Sequence, residues 1–324
     1  MFPSAATLAT KTVLRCRAPP DDGQAQSSRK MDLQPSRRLQ GTTLRARNHV
    51  YIKEAQQREL LIRRVFVISR WPRILLYHGV CRIAPDPYGV CTSPERFQAQ
   101  MRYLKVRKLR GVSMRELLRA VDSGTARGLV GLTFDDGFED FLHTAVPMLE
   151  RFGFTATLFV LGNMPRENNW DYYPDPTPPI KLLGAEGIRE VAARGMEVGS
   201  HGMNHLRLTG LEPEVLEKEV SDSRQVLSEV LGDAVEGFCY PYGSIDRAAI
   251  QAVHKARYAY ACAITERIER NVYDLPRIPV AERDDLRRFA AKLEIFAQYD
   301  TAKKILQRIS RSGPLKSITT LNSR

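Results

Sequence analysis

From Ile74 onward the chain alternates short apolar runs with longer segments in which apolar residues recur three and four apart. The run Ile74-Leu75-Leu76-Tyr77-His78 predicts a first buried strand. Gly128 to Phe134, Thr155 to Val160, Met196 to Gly199, Gly237 to Tyr240, 258–263 and 275–280 predict further strands. Between and after them the spacing predicts helices over Pro94 to Lys108, 138–151, 184–194, 212–231, up to Ala256, and 283–297. Phe97, Met101 and Leu104 share one helical face behind Ser93, a suitable N-cap, and Pro94, which fits a first turn. In the 212–231 helix the expected apolar face is Val215, Leu216, Val220, Val226, Leu227 and Val230, with Gly232 as the stop. Strand-then-helix units in series imply an α/β fold with a parallel sheet, and their number suits a closed or nearly closed barrel.

The 324 residues accommodate one such domain plus tails. Residues 1–70 read as a basic leader, largely disordered, with a helix at 50–64. Residues 71–282 form the domain, and 283–324 a C-terminal helix and basic tail. The net charge of +12 belongs to the ends. Residues 1–70 hold 14 Lys/Arg against 5 Asp/Glu and residues 301–324 hold 6 against none, whereas 71–300 hold 29 against 32. A nearly neutral domain argues against a nucleic-acid partner. The five cysteines form no C-x-x-C pair, which speaks against a zinc ribbon; Cys81 and Cys91 are candidates for a bridge if the chain is exported. No apolar run reaches the roughly 18 residues of a membrane span. The start of the chain lacks a secretory pattern, so localisation stays open between cytoplasmic and extracytoplasmic, as does the oligomeric state.

The polar residues of interest recur immediately after predicted strands: His78, Asp135-Asp136, His201 and Pro241-Tyr242-Gly243. In α/β barrels those strand ends converge on one face, so residues far apart in sequence can meet there. His201-Gly-Met-Asn-His205 lets two imidazoles face one side, and with one carboxylate they make a metal site with open positions. Adjacent Asp135 and Asp136 before Gly137 are ordinary turn formers, but their side chains diverge on extended backbone. One can then hold a cation while the other stays free as a base.

The segments Leu132-Thr133-Phe134-Asp135-Asp136-Gly137, Ser200-His201-Gly-Met-Asn-His205 and Phe238-Cys239-Tyr240-Pro241-Tyr242-Gly243, in that order, resemble the first three motifs of the polysaccharide deacetylases. These are the NodB-homology domains of carbohydrate esterase family 4. The similarity extends to Tyr77-His78, Ser93–Phe97, Ser113–Leu117 and Leu275-Pro276-Arg277-Ile278, and so covers 74–280. It implies a distorted (β/α) barrel of the seven-stranded type that removes acetyl groups from N-acetylhexosamine units of a polysaccharide. It implies a divalent metal, zinc first and Co2+, Mn2+ or Fe2+ as alternatives, held by Asp136, His201 and His205. Asp135 would be the base, and a backbone N–H near Tyr242 would meet the oxyanion.

The sequence departs from the family twice. Many members carry Arg where Cys239 stands, and Arg277, on another strand, is the candidate substitute. Many also supply an acid His in a Leu-x-His segment, where this chain has Leu275-Pro276-Arg277. That pattern resembles the exopolysaccharide deacetylases that act on poly-N-acetylglucosamine. His78 is then the candidate acid or substrate contact, with a core role as its alternative; His254 reads as structural. Pro241, Tyr242 and Trp170 are the candidate sugar contacts. An extracytoplasmic location is expected from the family. The competing reading is a catalytically silent carbohydrate-binding relative.

Overall fold

The structure, a computed structural model, describes residues 72–83, 86, 88–164, 167, 180–264 and 268–294. The leader with the helix expected at 50–64, Trp170 and the basic tail lie outside these residues.

The strands are β1 (Arg73–Tyr77), β2 (Arg110–Val112), β3 (Leu129–Phe134), β4 (Thr157–Val160), β5 (Glu197–Ser200), β6 (Gly237–Cys239), β7 (Tyr260–Cys262) and β8 (Ile278–Pro279). Seven of them follow one another in the order β7-β6-β5-β4-β3-β1-β8, every pair parallel. β2 lies off this path, along the first half of β3. The helices are α1 (Pro94–Val106), α2 (Met114–Asp122), α3 (Val146–Phe152, entered through a π-helical turn at Phe141–Ala145), α4 (Ala185–Ala193), α5 (Pro213–Leu231), α6 (Arg247–Lys255) and α7 (286–294).

The two edges of this sheet are joined by one segment. Around residues 272–277 it bonds to the β7 side: Ala261 N–H donates to Val272 O, Leu275 N–H to Ala261 O, Ala263 N–H to Leu275 O, and Arg277 N–H to Ile264 O. Immediately afterwards Ile278 and Pro279 pair with Leu75 and Leu76 of β1, and Val280 N–H donates to Leu76 O. The sheet is therefore curled round and closed by a chain that changes partner in mid-course. This is the distorted barrel that the resemblance implied and that the number of strand-helix units suited.

Alternation along the strands sorts side chains into two apolar groups. Leu75, Tyr77, Leu132, Phe134, Leu158 and Phe238 pack under the helices with Phe97, Met101, Leu149 and Val220. Ile74, Phe159, Cys239, Tyr260, Cys262 and Leu275 fill the other side of the sheet. Gly199 exists for that packing: a Cβ there would lie 2.5 Å from the ring of Phe159.

Several boundaries differ from expectation for identifiable reasons. Ser93 does sit at the N-cap of α1, but its hydroxyl donates to Glu282 Oε1 (3.0 Å) rather than capping the helix. β2 and α2 fall where no element was expected. Ser113 caps α2 by accepting from Glu116 N–H, half of a capping box. The buried stripe of α5 is Leu216, Glu219, Val220, Ser223 and Leu227, whereas Val215 is 43% exposed. Cys81 and Cys91 come into contact, Sγ to Sγ 2.7 Å. Among the described residues no helix is long and apolar enough to cross a membrane.

Candidate active site

Asp135, Asp136, His201 and the Pro241 turn stand just beyond strand ends, on one rim of the sheet, while Arg277 immediately precedes β8. Asp135 continues β3, its N–H donating to Tyr77 O of β1 (3.0 Å). His201 continues β5, its N–H donating to Val160 O (2.8 Å). Pro241–Gly243 forms a 3-10 turn after β6. Asp136 (φ 71°), His205 (φ 61°) and Tyr242 (φ 57°) all adopt left-handed backbone, which costs non-glycine residues energy and concentrates at functional sites.

The first cluster is Asp136, His201 and His205. Both imidazole Nε2 atoms lie 3.3 Å from the same oxygen, Asp136 Oδ1. The opposite nitrogens are engaged elsewhere. His201 Nδ1 is 2.9 Å from Cys239 O, and because a carbonyl only accepts, that nitrogen carries the proton. In the neutral ring His201 Nε2 then carries the lone pair that a cation in the cluster would take. His205 Nδ1 is 3.1 Å from the Tyr242 hydroxyl. The Arg207 guanidinium lies 4.2 Å over the Tyr242 ring. Burial opposes ionisation of Asp136, but bonds from His201 and His205, and the charge of His78, hold its carboxyl well below the usual range.

Three buried donor atoms within 4.8 Å of one another, two imidazole and one carboxylate, make a set that fits a divalent cation such as zinc. A second group, Asp135, His201 and Cys239, is equally close. It does not suit a metal, because both Asp135 oxygens and the Cys239 sulfur already accept from the Arg277 guanidinium, whose positive charge stands where a cation would have to approach.

Arg277 is what engages them. Its Nη1 donates to Asp135 Oδ1 (2.7 Å) and its Nη2 to Oδ2 (2.8 Å), a bidentate pair in which the arginine is wholly buried. Nη1 also donates to Thr133 Oγ1 (3.1 Å), Nη2 to Cys239 Sγ (3.1 Å), and Nε to Ala263 O (2.9 Å). The small side chain at 239 leaves room for this guanidinium; a second one there would set two like charges against one carboxylate. Burial pushes the Asp135 carboxyl up, but Arg277, with His201 and His78 nearby, brings it below its ordinary value.

Of the residues predicted from sequence, Asp135, Asp136, His201, His205, Tyr242 and Arg277 are brought together. His78 is half-buried beside them, close enough for its charge to act on both aspartates. Pro241 is buried at the start of its turn. His254 lies exposed on α6, its ring edge-on to Tyr273 at 5.2 Å. Sequence reasoning missed Glu219, a buried carboxylate on α5 bonded to the loop that carries His205. Its signal was a polar residue inside the apolar stripe of an amphipathic helix.

Comparison with known proteins accords with this geometry. YxkH of Bacillus subtilis is 26% identical over 187 residues, which span 57% of this chain and 61% of that protein. The poly-beta-1,6-N-acetyl-D-glucosamine N-deacetylase of Staphylococcus aureus strain MRSA252 is 22% identical over 203 residues, 59% of this chain and 68% of the relative. Among solved structures, the deacetylase PplD of Streptococcus pyogenes in complex with acetate has the same fold (TM-score 0.59, 23% identity, 68% of this chain and 97% of that one). IcaB of Ammonifex degensii does too (TM-score 0.58, 21% identity, 70% and 98%). The sequence model of the polysaccharide deacetylase family matches residues 122–261, a span that holds both aspartates, both histidines and the Pro241 turn, with His78 and Arg277 falling outside it. Over residues 122–261 this chain is therefore similar to the polysaccharide deacetylase family.

Proposed function

We propose that the protein is a metal-dependent hydrolase that removes acetyl groups from N-acetylhexosamine units of a polysaccharide, with poly-N-acetylglucosamine as the first substrate to test. The observation that carries this reading is the pairing of two unlike carboxylates at one strand end. Asp136 faces two imidazoles, and Asp135, held in a fixed orientation by Arg277, faces none at bonding distance. A carboxylate kept ionised and aimed next to a cation site is the arrangement that general-base hydrolysis needs. The Staphylococcus relative, by its name, acts on poly-β-1,6-N-acetylglucosamine, which supports the choice of substrate.

Asp136, His201 and His205 would hold the divalent cation, zinc in the first instance and Co2+, Mn2+ or Fe2+ as alternatives. When bound, such a cation supplies Lewis-acid chemistry, acidifying water and drawing charge from a carbonyl oxygen. Asp135 takes the proton from the attacking water, and Arg277 keeps both of its oxygens in register for that transfer. The backbone around Tyr242 offers an N–H to the developing oxyanion. His78, half-buried beside both aspartates, returns a proton to the departing amine nitrogen. Acetate and a free amine leave. Pro241 and Tyr242 line the approach to the sugar.

The test is acetate release from N-acetylglucosamine oligomers and from poly-N-acetylglucosamine, with and without a chelator. Release that stops on chelation and returns with added zinc supports the reading. A metal-loaded protein that binds these glycans but liberates no acetate is instead the silent carbohydrate-binding relative.

A further inference from the structure

We infer that Glu219 is a positioning residue that clamps the loop His201–His205 in its metal-binding shape; the inference rests on the metal site proposed above. Glu219 lies on the buried stripe of α5, 2% exposed, where an unpaired carboxylate would be costly. Its bonds go to the loop. Oε1 accepts from the N–H of Asn204 (2.6 Å) and of Leu206 (3.4 Å), the two neighbours of His205, and Oε2 accepts from Asn204 Nδ2 (3.0 Å). The carboxylate thus brackets His205 from both sides along the backbone.

His205 needs such a bracket. Its φ of 61° belongs to a region that a non-glycine residue leaves unless its surroundings hold it there. The opposite side of the loop is fixed by the chain after β4, where Gly162 N–H donates to Gly202 O (2.9 Å) and Asn163 N–H to Met203 O (3.0 Å). Asn163 Nδ2 adds a bond to Asn204 Oδ1 (3.2 Å). One helical turn along α5, Ser223 Oγ is bonded to Ser200 Oγ (2.9 Å), which accepts from Gly202 N–H (3.2 Å). Gly202, at φ 82°, lets the backbone pass so close that a Cβ would lie 3.1 Å from Glu219 Oε1. The loop is therefore gripped between the chain after β4 and α5, and Glu219 supplies the grip nearest the second histidine.

The experiment measures zinc affinity by competition with a chromophoric chelator in the full chain. It compares wild type, Glu219→Gln and Asn204→Ala, with thermal unfolding of the metal-free proteins alongside. Glu219→Gln keeps the shape but presents an NH2 group to donors; Asn204→Ala takes from an exposed residue its Nδ2 bond to Glu219 and its Oδ1 bond from Asn163, leaving the Glu219 carboxylate and its backbone bonds in place, and serves if the first variant fails to fold. Positioning residues behind metal ligands typically contribute 10- to 100-fold in metal affinity. We expect Glu219→Gln to lose about 10-fold and Asn204→Ala less, with KM for the glycan unchanged and kcat restored when zinc is raised to saturation. Zinc affinity equal to wild type in both variants, with lower unfolding temperatures, would make Glu219 merely structural and overturn the inference while leaving the metal site intact. A wild-type protein that binds no zinc, cobalt, manganese or iron would overturn both.

Discussion

Replacing Arg277 by Met isolates the orientation of the presumed base from the metal cluster. The change removes two charge-assisted bonds to Asp135 and leaves a 3% exposed carboxylate without its counter-charge. Breaking a buried ion pair on one side costs about 3–5 kcal/mol, because the surviving charge stays desolvated. At roughly 2–4 °C per kcal/mol for a domain of this size, the unfolding temperature should fall by on the order of 10 °C near neutral pH. The loss also carries a pH signature. In the wild type Asp135 sits below its ordinary pKa, so the pair contributes stability above the unfolded carboxyl's pKa of about 4, and that contribution is lost as pH falls through the lower folded value. In Arg277→Met only burial and the neighbouring histidines act, so the folded pKa rises, and the penalty builds as pH climbs from the unfolded carboxyl's value of about 4 through that raised value. The gap between the two proteins should therefore narrow on acidification from pH 7.5 to pH 5. Calorimetry at both pH values, in chelator so that no cation confuses the comparison, reads it directly. A gap that is the same at both, or less than about 1 kcal/mol at pH 7.5, would show that the pair is not the buried, mutually dependent unit described here.

Other outcomes follow from the same geometry. Asp135→Asn should retain zinc and lose acetate release by roughly 10²–10⁴-fold in kcat, the usual worth of a general base; metal analysis showing loss of zinc would instead exchange the roles of Asp135 and Asp136. Tyr242→Phe removes the hydroxyl from His205 Nδ1 and should weaken zinc binding about 10-fold, read by chelator competition. Asp140, beneath the rim, accepts from Val80 N–H, and burial raises its carboxyl pKa to about 6. Its charged form is thus disfavoured in the folded state, and stability falls as pH rises from about 4 through 6. Asp140→Asn should stabilise the protein above pH 6 and not below pH 4; equal effects across that range in urea titrations would count against the assignment.

The metal cluster was legible in the sequence because Asp136 and His201 fall at strand ends, and strand ends share a rim. Local spacing alone brings His201 and His205 together, while the barrel has to bring Asp136 to them. Arg277 was visible only as a candidate, since the carboxylate it grips is 142 residues away and no local pattern records that distance. Cys239 was legible only through the resemblance, as the place where many members carry Arg, because a small side chain by itself announces nothing about which neighbour fills the space. β2 escaped notice because three residues are too few to display alternation. α2 had a readable signature in Ser113 and Glu116. Glu219 and Ser223, four apart on an apolar stripe, were a second signature, passed over because hydrophobic periodicity weighs the apolar positions and discounts the polar ones between them.

The segment that joins the two edges of the sheet also delivers Arg277 to Asp135, so topology and reactivity are completed by the same few residues. Until that last piece docks, Asp135 is an unrestrained acid in a cleft open along one seam. Any excised fragment ending near residue 261, where the family match stops, would keep the cation ligands while missing the guanidinium. Such a fragment should bind metal and hydrolyse nothing. Closure of the ring in this sense arms the proposed base, and a chain caught before closure would be both unstable and inert.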